Sequence, residues 1–326
     1  MPEAKTAPKR KFKPRIKSKN KSYTLQDSGL YNIGTKKRLA ERLQISLNEL
    51  TKFSDNTNYR IFNINKNGKD REIQAPTLRL DIIQTRIASL LVRIATPEYL
   101  HSGIKKKSNI TNAKAHIGNH PVLTMDIRNF YPSITKKSIY HFFLDSMKSS
   151  PDVAGILAEL CTYNDHIPTG SRISMPLSFW VNFKMYNQLQ QLCIRQNITM
   201  SIFVDDLTFS GPSVNKLIKK KVERIITNSG LVVHPKKTRL YRYDEPKLIT
   251  GVIVNGVSIN VRNEHHKAIY TLFADIKQVD NDVVLKELQE KLIGRLSAAG
   301  QIEPLFKTRI KSFRDSLLSQ LPTKKK

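Results

Sequence analysis

The chain has 326 residues, of which 39% are hydrophobic and 25% charged, and its 55 Lys and Arg outnumber its 27 Asp and Glu to give a formal charge of +28. This composition allows a sizeable core in about two domains and excludes wholesale disorder. The two cysteines exclude a disulfide scaffold, and the lack of a long apolar run or of an apolar segment after the basic N-terminus excludes a membrane span and a secretory signal.

The excess positive charge favours nucleic acid or an anionic membrane as partner, and the lack of an apolar face at the basic N-terminus argues for nucleic acid and no membrane. We expect a soluble, cytoplasmic protein. Residues 1–22 hold nine Lys and Arg and one acid, Glu3. Because these residues have no apolar face, we predict a basic, disordered tail that binds phosphates on contact. A ribosomal-type binder or a repressor would have the same charge, so the basic residues alone do not identify an enzyme.

In the N-terminal third, residues 23–58 look helical, with leucines at helical spacing. Two packed helices or a small DNA-reading helix-turn-helix would give this pattern. Alternating residues around Asn67-Gly68 predict a β-hairpin of residues 59–64 and 71–75, and a long amphipathic helix is expected over 78–95.

The rest of the chain is predicted to mix short strands with helices, and to end in helices over 263–321. The expected strands are 121–127, 199–204, 207–210, 231–233 and 239–243, followed by a hairpin of 248–254 and 257–261 around Asn255-Gly256. The expected helices are 138–147, 153–163, 176–196 and 214–228. In the last region, Leu285, Leu288, Leu292 and Leu296 line one face, and the candidate caps are Asp280, Asn281 and Asp282.

Two adjacent acids, Asp205 and Asp206, separate two apolar half-strands. In a hairpin they would lie at the tip. Adjacent carboxylates repel each other, and burial strengthens the repulsion, so a divalent cation would be a suitable counter-charge. A polar Asp-Asp turn also explains the segment when it is taken alone.

A third acid, Asp126, ends the apolar strand 121–127, where packing explains it poorly. If the two strands are neighbours in one sheet, Asp126 faces the Asp205-Asp206 tip. Three carboxylates can then hold two Mg²⁺ about 3.5–4 Å apart, an arrangement that serves phosphoryl transfer in polymerases and nucleases. The carbonyl of Ile127 is a candidate further ligand.

The order of these segments resembles motifs A to D of reverse transcriptases. Asp126 is followed by Ile167-Pro168-Thr169-Gly170, by Phe203-Val204-Asp205-Asp206, and by Gly230-Leu231 with Lys237-Thr238. Upstream, Arg71-Glu72-Ile73-Gln74-Ala75-Pro76 resembles the fingers motif of the bacterial branch. The resemblance covers residues 35–320, approximately.

Two further elements are similar to those of retron reverse transcriptases. Asn112-Ala113-Lys114-Ala115-His116 resembles the NAxxH element, and Ile249-Thr250-Gly251 resembles the VTG element. Two departures stand out, because Thr169 replaces the usual Gln of motif B and Phe203 replaces the usual Tyr of motif C. The first removes an amide that would touch nucleotide or template, and the second keeps the aromatic ring.

The resemblance implies an α+β fold, namely the right-hand polymerase fold with fingers, a palm of antiparallel sheet plus helices, and an α-helical thumb. We place the basic tail at 1–22 and the N-terminal helices and fingers at 23–120. The palm, with the catalytic carboxylates and some interleaved fingers elements, is placed at 121–261. The thumb and basic C-terminus are placed at 262–326.

The resemblance assigns catalysis and metal binding to Asp126, Asp205 and Asp206, with Ile127 as a further metal ligand. It also implies four nucleotide-binding residues, each of which has a plainer alternative. Tyr131 would be the sugar gate, or else a core tyrosine, and Arg71 would bind the triphosphate, or else be a solvated charge. Lys237 would contact the pyrophosphate, or else belong to a basic surface, and Gly170 would allow close approach to the template–primer, or else be a turn glycine.

RNA binding is assigned to Asn112 and His116, although a structural histidine that fixes the NAxxH turn is the alternative. Four thumb cations would grip the duplex, and a solvated helix face explains them equally well. They are Lys307, Arg309, Lys311 and Arg314.

The implied activity is that of a retron reverse transcriptase, an RNA-directed DNA polymerase with two Mg²⁺. It would use dNTPs to copy part of a cognate structured non-coding RNA into branched multicopy single-stranded DNA, primed from a guanosine 2′-hydroxyl. An anti-phage role with a separately encoded effector protein is also implied. The rivals are a metal-dependent nuclease, a non-catalytic basic RNA- or DNA-binding protein, and another class of bacterial reverse transcriptase.

Overall fold

The computed structural model describes residues 13–53, 56–66 and 68–319, and these residues form a mixed helical and sheet structure. The predicted α+β class is confirmed. The helices are α1 Lys36–Leu43, α2 Leu47–Lys52, α3 Leu78–Leu91, α4 Asn109–Lys114, α5 Phe130–Ser133, α6 Lys136–His141, α7 Pro151–Leu160, α8 Ser174–Val181, α9 Phe183–Arg195, α10 Lys216–Asn228, α11 Asn263–Gln278, α12 Asp282–Ala299 and α13 Leu305–Ser319. The strands are β1 Tyr59–Lys66, β2 Lys69–Pro76, β3 Val122–Asp126, β4 Thr199–Phe203, β5 Asp206–Ser210, β6 Arg239–Tyr241, β7 Lys247–Ile249, β8 Val252–Asn255 and β9 Ser258–Asn260.

The chain divides into two compact units, each of which gathers stretches that are distant in sequence. The first unit contains residues 1–97, 128–186 and 229–231. The second unit contains residues 98–127, 187–228 and 232–326. The predicted boundaries between fingers, palm and thumb stay predictions.

In the first unit, β1 and β2 form the predicted hairpin. They pair antiparallel from Tyr59 opposite Pro76 to Lys66 opposite Lys69. Apolar side chains of β1 remain in contact with solvent, since Ile61 and Phe62 are 42% and 46% exposed. The two-stranded sheet therefore leaves much of its surface open to water.

The N-terminal segment is held in place from Lys17 onward. The Lys17 N–H donates to Ser89 Oγ at 3.0 Å, and Arg93 donates to the Lys17 carbonyl. Tyr23 then forms a parallel bridge with Ile94. The prediction of a disordered tail is wrong for Lys17, because the hydrogen bonds with Ser89 and Arg93 fix its backbone. For residues 18–22 it stays a prediction. Residues 1–12 of the predicted tail lie outside the described residues.

The second unit contains a four-stranded sheet in the order β4-β5-β3-β6. All three pairings are antiparallel. β3 buries four of its five side chains, and β5 does the same. The apolar runs on both strands follow from this two-sided burial. A second sheet has the order β7-β8-β9.

The C-terminal helices α11, α12 and α13 pack around their own core, to which Leu292, Leu296 and Phe306 contribute. Of the three candidate caps, Asn281 is the one that caps α12, because its Oδ1 accepts from the N–H groups of Val283 and Val284. These contacts explain the leucine spacing and the position at which α12 begins.

Three predicted elements differ from the structure. The helix predicted over 176–196 is interrupted at Asn182, whose side chain donates to the Ser178 carbonyl. The strand predicted over 231–233 is only a single bridge of Val233 to Ile127. The hairpin predicted over 248–261 has a third strand, because Thr250 and Gly251 turn the chain with φ of +44° and +84°.

Cys161 and Cys193 are buried and unpaired, as expected without a disulfide scaffold. Over the described residues, none of the helices has both the length and the apolarity needed to span a bilayer.

Candidate active site

Strand pairing in the second unit brings the three predicted acids together. β3 and β5 pair with Asp126 opposite Asp206. Asp205 lies in the two-residue turn between β4 and β5, and its carbonyl accepts from the Ile127 N–H at 3.0 Å. The prediction that Asp126 neighbours the Asp-Asp tip is confirmed.

The turn that carries Asp205 is strained. Val204 has a φ of +62°, a left-handed conformation that is rare for a β-branched residue. Such a conformation costs about 1–3 kcal/mol and persists only where surrounding contacts hold it. The Val204 N–H donates to Ser102 Oγ at 3.0 Å, and Ile127 bonds the other side of the turn. Ser102 was not predictable from local patterns, because this contact joins residues 102 positions apart.

The three acids interact electrostatically. Burial, followed by the charges of Asp205 and Asp126, raises the pKa of Asp206 to about 7. The Lys237 ammonium acts in the opposite direction on the same pKa. Asp126 is itself buried, at 7% exposure. Charge repulsion in a desolvated place is the condition under which a cation binds favourably between carboxylates.

Lys237 forms an ion pair with Asp126 that the sequence did not predict. Its Nζ donates to Asp126 Oδ2 at 2.6 Å, while the lysine side chain stays half-exposed. The neighbouring His234 N–H donates to the Asp126 carbonyl at 2.7 Å. Lys237 therefore supplies a positive charge to Asp126, and its predicted contact with pyrophosphate stays a prediction.

Within the described residues, no three or more His, Cys, Asp or Glu side chains are arranged as a metal cluster. The three carboxylates as metal ligands stay a prediction, and the Asp126 carboxylate is paired with Lys237. The donor set fits a divalent cation, since carboxylate oxygens are the ligands that Mg²⁺ prefers, and burial followed by the charges of Asp205 and Asp126 raises the pKa of Asp206. The Ile127 carbonyl as a ligand stays a prediction.

His116 and Asn112 are buried, at 1% and 0% exposure, which contradicts direct RNA contact by these side chains. The His116 ring lies between two serines, with Nδ1 at 2.7 Å from Ser210 Oγ and Nε2 at 2.6 Å from Ser201 Oγ. Burial lowers the pKa of His116 to about 3. The histidine is therefore a neutral link between α4 and both strands of the β4–β5 hairpin, which is the structural alternative.

The NAxxH and TG elements contact each other, because Asn112 Nδ2 donates to Thr250 Oγ1 at 3.4 Å, and Asn109 at the start of α4 adds two further bonds. Asn109 Nδ2 donates to the Thr250 carbonyl at 3.1 Å, and Thr250 Oγ1 donates to the Asn109 carbonyl at 2.9 Å. Helix α4 thus connects the β7–β8 turn to the hairpin that carries Asp205.

The backbone of Gly170 lies close to β2, within the first unit. A Cβ at this position would lie 2.7 Å from Ile73 Cγ2 and 2.8 Å from the Gln74 carbonyl oxygen. Next to it, Thr169 Oγ1 donates to the Glu72 carbonyl at 2.8 Å. The observed reason for glycine is packing of this loop on β2, and its contact with template–primer stays a prediction. Thr169, the departure from the motif, serves the same packing.

The other predicted nucleotide-binding residues are also in the first unit. Arg71 is exposed on β2, opposite Ile64. Tyr131 is half-buried in α5, which follows Asn129 at a φ of +48°. Both assignments stay predictions.

The four predicted thumb cations are exposed on α13, which agrees equally with a solvated face and with RNA binding. Arg309 also lies over the Phe306 ring, 5.3 Å from its centre. The four residues are Lys307, Arg309, Lys311 and Arg314.

Comparison with known proteins decides the family. The profile described as "Reverse transcriptase (RNA-dependent DNA polymerase)" matches residues 56–254, more than half of the chain. The chain belongs to the reverse transcriptase family. This match confirms the predicted class of RNA-directed DNA polymerase and supports neither the nuclease nor the non-catalytic rival.

The similar proteins are retron enzymes. Retron Ec86 reverse transcriptase of Escherichia coli is 25% identical over 236 residues, which cover 71% of this chain and 73% of that protein. Retron Se72 reverse transcriptase of Salmonella heidelberg is 36% identical over 151 residues, which cover 45% of this chain and 39% of that protein. The match therefore spans less than half of the Se72 protein. The predicted retron branch of this reverse transcriptase is confirmed.

Among solved structures, apo telomerase from Candida tropicalis is similar with a TM-score of 0.50 at 11% identity. The similarity covers 74% of this reverse transcriptase and 52% of that chain. At this identity it bears on the fold alone, and it agrees with the predicted polymerase fold.

Proposed function

We propose that this chain copies part of a cognate structured non-coding RNA into branched multicopy single-stranded DNA. The observation that carries the proposal is the pairing of Asp126 with Asp206 beside the strained turn of Asp205. This places three acids at one end of a buried sheet, where the family performs polymerisation. The retron relatives support the branched product and the structured RNA template.

Asp126, Asp205 and Asp206, with the Ile127 carbonyl, would hold divalent cations, which we propose to be two Mg²⁺. When bound, such ions supply positive charge that activates the attacking hydroxyl and stabilises the leaving pyrophosphate. The protein's part is to hold the acids in place. The Ser102 and Ile127 contacts fix the turn of Asp205, and sheet pairing fixes Asp126 opposite Asp206.

Lys237 has two successive uses in this proposal. Its ammonium balances the Asp126 carboxylate in the structure, at 2.6 Å. Because its side chain is half-exposed, it is free to turn toward an incoming phosphate once other positive charge reaches Asp126. Lys237 would then contact the pyrophosphate side of the nucleotide.

Nucleotide selection is proposed to rest on two residues of the first unit. Arg71 is exposed and can donate two parallel hydrogen bonds to a triphosphate. The Tyr131 ring would clash with a ribonucleotide 2′-hydroxyl and so favour dNTPs. Gly170 would let the backbone approach the template–primer, in addition to its packing on β2.

We also propose that the chain works with a separately encoded effector in defence against phage. Only the retron relatives support this part. The thumb cations of α13 would contact the duplex through its phosphates.

The test is primer extension by the purified full-length chain on an RNA template with dNTPs and Mg²⁺. We expect extension by the wild type and none by Asp205→Asn. Asp280→Asn is the matched control, because it makes the same chemical change at an exposed residue of the same unit. Failure of the wild type to extend, or equal extension by Asp205→Asn, would overturn the proposal.

A further inference from the structure

The first unit carries a row of cations held together by main-chain carbonyls. Arg86 Nε donates to the Arg42 carbonyl at 3.0 Å. Just past the end of α3, Arg93 donates from Nε and Nη2 to the Lys17 carbonyl at 3.2 and 3.0 Å. Each guanidinium thus takes as its acceptor the carbonyl of another cationic residue. Lys17, Arg42, Arg86 and Arg93 are called the cationic row below.

The charge of the cationic row is not balanced by nearby acids. Within the described parts of the chain, none of its four side chains forms an ion pair with a carboxylate. Burial, followed by the charges of Arg93 and Arg42, lowers the pKa of Arg86. These hydrogen bonds satisfy the donors without reducing the net charge.

The helix α1 adds to this positive surface. A depression of about 400 Å³ along α1 is lined by Lys37, Arg38 and Arg42 together with Thr35 and a single carboxylate, Glu41. Positive charge therefore exceeds negative charge on this side of the row as well.

The N-terminal segment extends the row in the other direction. Its backbone is fixed at Lys17, whose N–H donates to Ser89 Oγ. The cationic side chains of this segment are exposed, and four of them adjoin Lys17: Lys13, Arg15, Lys19 and Lys21. The basic segment is thus anchored at Lys17 and adds charge to an already cationic surface.

Holding like charges together raises the free energy of the folded chain unless an anion neutralises them. A nucleic-acid backbone presents regularly spaced phosphates, and cations that meet them gain free energy by releasing counterions. Arginine forks also match phosphate geometry, and Arg42 is the exposed arginine of the row, whereas Arg93 is buried at 7% exposure and adds charge from below the surface. We propose that the cationic row and the adjoining N-terminal segment form a docking surface for the phosphate backbone of a structured RNA.

This surface belongs to the first unit, whereas the catalytic acids belong to the second. The choice of RNA over another polyanion rests on the proposed function. The affinity for phosphates does not, because binding requires neither dNTPs nor the carboxylates.

Two charges of the row can be removed without breaking its hydrogen bonds. Lys17 and Arg42 take part in the hydrogen bonds of the row through their carbonyls, so removing their side-chain charge leaves those bonds in place. We would measure binding of a labelled RNA duplex to the full-length chain by fluorescence anisotropy over a range of salt concentrations, without dNTPs. The variant is the double substitution Lys17→Gln and Arg42→Gln.

We expect the slope of log affinity against log salt to become shallower by about 0.9 for each lost phosphate contact, and affinity at low salt to fall on the order of tenfold. The charge-preserving double variant Lys17→Arg and Arg42→Lys should keep the wild-type slope. A Gln variant with unchanged slope and affinity would overturn the proposal. Unchanged RNA binding with weaker binding of a poly-glutamate peptide would also overturn it, in favour of an acidic protein partner.

Primer extension separates this inference from the proposed function. The Gln variant should still extend a short primer on a short template, because neither residue belongs to the catalytic site. If the wild type fails to extend while the Gln variant still shows the shallower slope, the proposed function fails and the docking surface stands.

Discussion

The two hairpins β1–β2 and β4–β5 use the same antiparallel pairing in opposite surroundings. β1–β2 forms a sheet of two strands, and Ile61, Phe62 and Ile64 of β1 are 42%, 46% and 47% exposed. β4–β5 lies in a four-stranded sheet and buries most of its side chains. At the end of the buried hairpin, burial and neighbouring charge raise the pKa of Asp206 to about 7. On the exposed hairpin, Arg71 stays in water, where it can meet a ligand.

The difference in burial predicts how substitutions in each hairpin act. A buried sheet fixes charged groups close enough to act as one unit, so substitutions there should abolish the chemistry or the stability. An exposed hairpin contributes contacts one at a time, so substitutions there should have graded effects.

The largest effect is expected at the buried sheet end. Asp126→Asn keeps the size of the side chain but removes the charge that faces Asp206, so the rate of primer extension should fall roughly 10³-fold or more. The far-ultraviolet circular dichroism should match that of the wild type. A loss of only a few-fold would mean that Asp126 lies outside the reacting unit.

The next effect concerns the pH dependence of stability at the buried hairpin. The pKa of His116 is lowered to about 3, below its unfolded value near 6.5, so the histidine binds its proton more readily in the unfolded chain. Its contribution to stability is therefore present above about pH 6.5 and is lost as the pH falls toward 3, by about 1.4 kcal/mol per pH unit.

Urea unfolding of the wild type and of His116→Gln at several pH values checks this. The variant should be less stable at pH 7, because two serines lose their partner, and the gap in free energy of unfolding should narrow as the pH falls toward 4. Acids common to both proteins titrate equally and cancel in this difference. A gap that is constant with pH would show that His116 does not titrate as the structure requires.

On the side of the exposed hairpin, Gly170→Ala should cost about 1–3 kcal/mol of stability, because the added Cβ meets Ile73 and the backbone of Gln74 under 3.0 Å. The matched control is Gly155→Ala, a helical glycine of the same unit with open space around its Cβ position. That change should stabilise by about 0.5–1 kcal/mol. Equal effects of the two substitutions on thermal unfolding would argue against tight packing of the Gly170 loop on β2.

The smallest effect is expected at Arg71. Arg71→Ala should raise the KM for dNTPs by about tenfold with little change in kcat, since an exposed residue that grips the triphosphate adds binding without changing the chemistry. The KM of Arg71→Lys should lie between those of the wild type and Arg71→Ala, because an ammonium keeps the charge but cannot form the bidentate contact. If kcat falls instead of KM rising, Arg71 belongs to the reacting unit and the contrast between the hairpins is wrong.

Much of the buried site was predictable from sequence because strand ends carry local signals. The apolar run before Asp126 and the half-strands around Asp205-Asp206 indicated the strands, whereas the pairing of β3 with β5 entered only as a condition. Asn67-Gly68 likewise indicated the β1–β2 hairpin. Such signals depend on neighbours in the chain, where periodicity and turn chemistry operate.

Contacts between distant residues were not predictable. Three contacts join residues that lie far apart in the sequence. They are the Lys237–Asp126 ion pair, the Ser102–Val204 hydrogen bond and the contact of the buried His116 with Ser201. The N-terminal segment was misjudged for the same reason. Its charge suggested disorder, but the backbone of Lys17 bonds to Ser89 and Arg93, and charge patterns carry no information on such bonds.

The most direct measurement is calorimetric titration of Mg²⁺ into the full-length chain, the Asp126→Asn variant and the Asp206→Asn variant. If the acids act as one unit, the wild type binds Mg²⁺ and each single substitution weakens that binding strongly, because every acid contributes oxygen ligands to shared ions. Binding of equal affinity and stoichiometry in all three proteins would contradict the account.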